Sequence, residues 1–240
     1  MTDLPVFEYS HDGVPLRGYL AMPEGPGPHP AVLVMRDALA LEGVVSRRAQ
    51  DLARLGYVAL ATDMFGSGPG EPSVAEASES FAQLQKTPEY LRGRVLATFE
   101  ALRALPQVDA ARVSAIGYCF GGQCVLELAR SGADARSVVS FHGLMHTALP
   151  AKPGAIKAKI LAITGALDPH APLSDVPGFQ KEMSDAGADY HLTIYGQGVH
   201  AWTDPDVAKR IDIPGVQYDP FLDHLSWVQA TAFLDATLRA

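Results

Sequence analysis

The stretch Gly117-Tyr118-Cys119-Phe120-Gly121-Gly122 restricts this chain more than any other. It follows a short apolar run, Arg112-Val113-Ser114-Ala115-Ile116, that reads as a buried strand. It precedes Gln123 to Arg130, which reads as a helix stopped by Ser131-Gly132. A cysteine on such a strand-to-helix turn has the form of the G-x-S-x-G nucleophile elbow, with a thiol in place of the hydroxyl. The turn needs its glycines, because the nucleophile sits in a strained backbone conformation and side chains at 117 or 121 would crowd it. The thiol is then held at the carboxyl edge of a sheet and at a helix N-terminus. There the helix dipole and free N–H groups favour a thiolate and the oxyanion it generates. The same six residues also fit a glycine-rich turn around an inert cysteine, so the rest of the chain has to decide.

The 240 residues are 48% hydrophobic, enough for one sizeable core and a single domain over 1–240. A net charge of −8 argues against nucleic acid or an anionic membrane as partner. No run of 18 apolar residues occurs, and Met1-Thr2-Asp3-Leu4-Pro5 has neither the basic start nor the apolar segment of an export signal. The two cysteines, Cys119 and Cys124, lie five residues apart around the start of one helix, which disfavours a disulfide. A reduced, cytoplasmic protein, monomeric or homodimeric, is the expectation.

Val6 to Ser10 and Leu16 to Met22 read as an N-terminal antiparallel hairpin around His11-Asp12-Gly13. Strands are expected at Ala31 to Met35, Tyr57 to Thr62, the elbow strand, Ser137 to Phe141, Ile160 to Thr164 and His191 to Tyr195. Helices are expected at Val44 to Leu55, over 73–105 with a break at Thr87-Pro88, at Val176 to Ala186, and at Pro220 to Leu238. A poorly ordered loop precedes the last of these. Strands alternating with helices imply a mostly parallel sheet of seven to eight strands, covered on both faces. Ligands in such sheets bind beyond the carboxyl ends of the strands, where Asp37, Cys119, His142, Asp168 and His200 all fall.

Cys119, Asp168 and His200 come in the order nucleophile, acid, histidine, 49 and 32 residues apart, each after an expected strand. In that arrangement His200 takes the thiol proton and later activates water, while Asp168 fixes the imidazole tautomer and stabilises its cation. An oxyanion hole requires the N–H after the nucleophile and one from the loop after the third strand, which points to Phe120 and Ala38. Tyr118, Phe65 and Trp202 are candidates to line a substrate pocket.

The chain resembles the dienelactone hydrolase family of α/β-hydrolases. The matching residues are the elbow, Leu55 to Gly66, Ser140-Phe141-His142-Gly143, Gly165-Ala166-Leu167-Asp168-Pro169 and Val199-His200-Ala201-Trp202-Thr203. The resemblance implies an α/β-hydrolase fold, a Cys119-Asp168-His200 triad, no cofactor, and a small ester or lactone as substrate. It also implies a carboxylate after the third strand that helps deprotonate the thiol, here Asp37 where the family has a glutamate. The family's carboxylate-binding arginine, a few residues after the histidine, has no counterpart in Ala201-Trp202-Thr203-Asp204-Pro205. A carboxylesterase or thioesterase acting on an uncharged substrate is therefore the alternative. A non-catalytic ligand-binding homologue would be expected to have lost a triad member.

Other features read as structural. His142 and His146 lack a third partner for a metal. Cys124 falls inside the helix as core, and Arg92 and Arg94 read as a solvated face. Gly66-Ser67-Gly68-Pro69-Gly70 is not followed by the lysine that a phosphate loop needs.

Overall fold

The structure, a computed structural model, describes residues 3–38, 43–66 and 73–239. Met1 and Thr2, Leu39, and the part of the glycine-rich turn from Ser67 onward lie outside the described residues. Eight strands form a single sheet: β1 (Val6–His11), β2 (Val14–Ala21), β3 (His29–Met35), β4 (Val58–Thr62), β5 (Val108–Tyr118), β6 (Ser137–Phe141), β7 (Lys159–Gly165) and β8 (Tyr190–Tyr195). Their order across the sheet is β1-β2-β4-β3-β5-β6-β7-β8. The hairpin β1–β2 is antiparallel and β2 joins β4 antiparallel, whereas β4 through β8 run parallel. This is the mostly parallel sheet expected from the alternation of elements, in the α/β-hydrolase form that the resemblance implies.

The strand pattern explains why both faces need cover. In β3, Ala31, Leu33 and Met35 point into one apolar cluster and Val32 and Val34 into the other, all of them fully buried. The first face is covered by α2 (Val74–Lys86), α3 (Pro88–Arg103), α4 (Phe120–Arg130) and α5 (Val176–Asp185); the second by α1 (Val44–Arg54) and α7 (Pro220–Leu238). The break at Thr87-Pro88 separates α2 from α3, because Pro88 fits only a first helical turn. Ser73 starts α2 with a capping box to Glu76.

Two expectations are corrected. Arg94 is buried rather than solvated: its Nη1 donates to the Met64 carbonyl at 2.8 Å and Nη2 to the Tyr90 hydroxyl at 2.5 Å. Arg92 likewise turns inward, its Nε donating to Glu127 at 3.0 Å. The segment after His200 is folded rather than poorly ordered, and contains a short helix, α6 (Val207–Arg210). Trp202 and Val207 bury their side chains, and the Asp204 carboxylate accepts from the Asp206 N–H and from Arg210. Apolar burial and the Asp204–Arg210 ion pair thus help to hold a stretch whose sequence shows no long periodicity. Among the described residues, no helix is long and apolar enough to cross a membrane.

Candidate active site

Cys119 sits between β5 and α4 with φ 54° and ψ −114°, a conformation sparsely populated by non-glycine residues. Close approach of backbones dictates the flanking glycines. A Cβ on Gly117 would lie 2.0 Å from the Gly121 carbonyl oxygen, and one on Gly121 would lie 2.3 Å from the Met35 carbonyl oxygen. The second contact packs the start of α4 against the end of β3. Asp37 and Ala38, just beyond β3, therefore line the same cavity as Cys119. The first N–H groups of α4, Phe120 among them, have no acceptor within the helix.

Asp168 leaves β7 in a turn that secures its carboxylate. Oδ1 accepts from the N–H groups of His170 at 2.8 Å and Ala171 at 2.9 Å, and Oδ2 accepts from His200 Nδ1 at 2.7 Å. Burial pushes the Asp168 carboxyl up, but the hydrogen bond and charge of His200 and the two backbone N–H groups outweigh it, and its pKa falls below the usual value. His200 is pinned by its own backbone: its N–H donates to the Gly215 carbonyl at 2.8 Å, and its carbonyl accepts from Gln217 at 3.0 Å. Burial opposes the imidazolium, yet the charge of Cys119 and hydrogen bonds to Asp168 and Cys119 push the His200 pKa up to about 10. The structure brings Cys119, Asp168 and His200 together, although they come from three separate strand ends.

A second histidine supports the elbow. His142 is buried, with φ 40°, directly after β6. The Cys119 N–H donates to the Phe141 carbonyl at 3.0 Å and to His142 Nδ1 at 3.2 Å. Nε2 of His142 is therefore assigned the proton and donates to Thr203 Oγ1 at 2.9 Å. The ring stands edge-on to His200 and to Trp202, at centroid distances of 5.1 and 4.7 Å. Burial, and then the charge of His200, hold its pKa well below the ordinary value, so it braces the elbow as a neutral ring. His170 was missed. It stands two residues beyond Asp168, lines the cavity, and places its ring 5.1 Å from that of His200.

The cavity over Cys119 has a volume of about 350 Å³ and includes Tyr118 in its wall. Two other expected lining residues are elsewhere. Trp202 is fully buried behind His142, its Nε1 donating to Ser226 Oγ at 3.3 Å. Phe65 stacks on Phe120 under the Arg36 guanidinium and lines a separate cavity beside Tyr90 and Arg94. Their places in the wall are taken by Val207, Ile211, Ile213 and Val216. The available signal was a run of apolar residues spaced two to four apart. Cys124 is fully buried and burial pushes its thiol pKa well up. Neither cysteine is in a disulfide. Among the described residues no cluster of three or more metal-ligating side chains occurs.

The chain is similar in structure to a dienelactone hydrolase-like promiscuous phosphotriesterase, P91, from metagenomic libraries: TM-score 0.90, 32% identity, with 98% of each chain covered. It is 33% identical over 198 residues to the "Probable 2-oxo-3-(5-oxofuran-2-ylidene)propanoate lactonase" of Bradyrhizobium sp., covering 77% of each. It is also 34% identical over 147 residues to an uncharacterized protein of Caenorhabditis elegans, covering 60% of this chain and 92% of that one. The family model of the dienelactone hydrolases matches residues 16–238. The elbow, the strand-end acid and histidine, and this match together place the chain in the dienelactone hydrolase family.

Proposed function

We propose that the protein hydrolyses an ester or lactone through an acyl-enzyme on Cys119. The observation that carries this reading is the thiol on a strained elbow, opening into the same cavity as a histidine whose Nδ1 is held 2.7 Å from Asp168. The Cys119 sulfur attacks the substrate carbonyl carbon. The tetrahedral oxyanion accepts hydrogen bonds from the Phe120 and Ala38 N–H groups. Collapse breaks the C–O bond, and His200 delivers its proton to the leaving alkoxide, which stays tethered if the substrate is a lactone. The product is a thioester. His200, now neutral, removes a proton from water as the water attacks. The second collapse expels the Cys119 thiolate and releases the acid, and the proton taken from water stays on His200, which restores the starting pair. Asp168 keeps the imidazole oriented and compensates its charge.

Asp37 shares the cavity with Cys119 and acts as the carboxylate that assists acylation. Asp37→Asn is expected to slow the acylation burst about tenfold or more while leaving the thermal midpoint in place. An unaltered burst would make Asp37 a structural residue. Cys119→Ala is expected to abolish turnover of p-nitrophenyl acetate, and retained turnover would remove the nucleophile assignment. Phosphotriester cleavage is a second reading, favoured by the likeness to P91. It predicts phosphorylation of Cys119 by a diethyl aryl phosphate, and an unmodified thiol after prolonged exposure would dismiss it.

A further inference from the structure

The wall of the Cys119 cavity is unevenly charged. Val44, Phe81, Leu144, Val207, Ile211 and Ile213 make most of it apolar. The acidic groups in it are Asp37 and Asp204. Arg210 stands behind Asp204 and donates to its carboxylate, so its charge is already engaged. Among the described residues no lysine or arginine lines the cavity. The segments 39–42 and 67–72 cannot supply one, because they read Leu-Ala-Leu-Glu and Ser-Gly-Pro-Gly-Glu-Pro. The three histidines of the wall do not fill the gap. His142 has both ring nitrogens committed, His200 is committed to Asp168 and Cys119, and burial and the His200 charge keep the His170 pKa below its ordinary value.

We infer that this cavity selects substrates that are uncharged and apolar around the scissile bond and rejects those carrying a free carboxylate there. The inference rests on the acyl-enzyme reading above and names its substrate class. A carboxylate entering the cavity exchanges water for apolar side chains, meets no lysine or arginine among the described lining residues, and finds His200 engaged by Asp168 and Cys119 and Arg210 engaged by Asp204. A branched alkyl group of the same shape gains from the same wall.

Two p-nitrophenyl esters of matched shape test this directly: the 4-methylpentanoate and the mono-succinate, in which an isopropyl group replaces a carboxylate. With each rate divided by that of hydroxide attack, kcat/KM for the 4-methylpentanoate is expected to exceed that for the succinate by about a hundredfold or more. The preference should persist at about 0.5 M salt, where long-range repulsion from the acidic surface is screened. Cys119-dependent turnover with equal rates, or with the succinate preferred, overturns the inference and leaves the acyl-enzyme reading standing. If neither ester is turned over above the Cys119→Ala background, the acyl-enzyme reading itself fails. Ile213 is 42% exposed, so a lysine fits there without burial of its ammonium. Ile213→Lys is expected to raise the succinate-to-methylpentanoate ratio about tenfold or more. An unchanged ratio in a folded Ile213→Lys protein would show that wall charge does not set the selection, and would also overturn it.

Discussion

His200 carries the electrostatic signature of the site. Its raised pKa depends on the charge of Cys119 working against burial, so removing that charge should let burial win. In Cys119→Ala the His200 midpoint, followed by NMR of its ring protons, should fall below about 10. A midpoint that stays put would mean that Asp168 alone holds the proton. The linkage has a definite sign. A raised histidine pKa stabilises the fold fully below the unfolded value of 6.5, and this contribution is lost as pH rises through about 10. The lowered Asp168 pKa contributes above 3.8 and is lost on acidification below it. That Cys119, Asp168 and His200 meet in space was legible in the sequence, because each follows a strand of one parallel sheet. The contacts that His142 and His170 make were not legible there. A histidine's role depends on what its two nitrogens face, and spacing does not encode that.

At the scale of elements, the elbow works because α4 starts in contact with the end of β3. Gly121→Ala drives a Cβ into the Met35 carbonyl oxygen at 2.3 Å, so it should cost about 3 kcal/mol or more in urea unfolding, or prevent folding. Gly178 makes the opposite case. It lies inside α5, and a Cβ there meets nothing within 4 Å. Gly178→Ala should stabilise the protein by about 0.5–1 kcal/mol, measured the same way. Equal effects at the two glycines would deny the close-approach account. The strands and long helices were readable because apolar runs and 3.6-residue spacing are local signals. The segment from Ala201 to Asp219 was not, because its order comes from partners distant in sequence: Arg47 donates to the Thr203 carbonyl at 3.4 Å, and Asp204 pairs with Arg210. That segment supplies seven of the eighteen residues lining the cavity, so the pocket was the least legible part of the site.

Across the whole molecule, a buried charge network ties the helical face to the loop that carries His142 and Leu144. Arg130 donates to Glu127 at 2.9 Å, to Glu182 at 2.8 and 2.9 Å, and to the Met145 carbonyl at 2.6 Å. Arg130→Met leaves Glu182 without its cation and Glu127 with Arg92 alone, and should cost about 3 kcal/mol in unfolding free energy. A loss under about 1 kcal/mol would show that the network is dispensable. The sheet, its order and this network exist to hold one thiol against one imidazole, and the central claim is that the thiol is acylated during turnover. It is tested most directly by mixing the intact protein with p-nitrophenyl trimethylacetate, quenching at once in acid, and measuring the mass of the chain and its peptides. A burst of p-nitrophenolate with one trimethylacetyl group on the peptide containing Cys119 is the predicted result; turnover without a burst or adduct, or an adduct on any other residue, would contradict it.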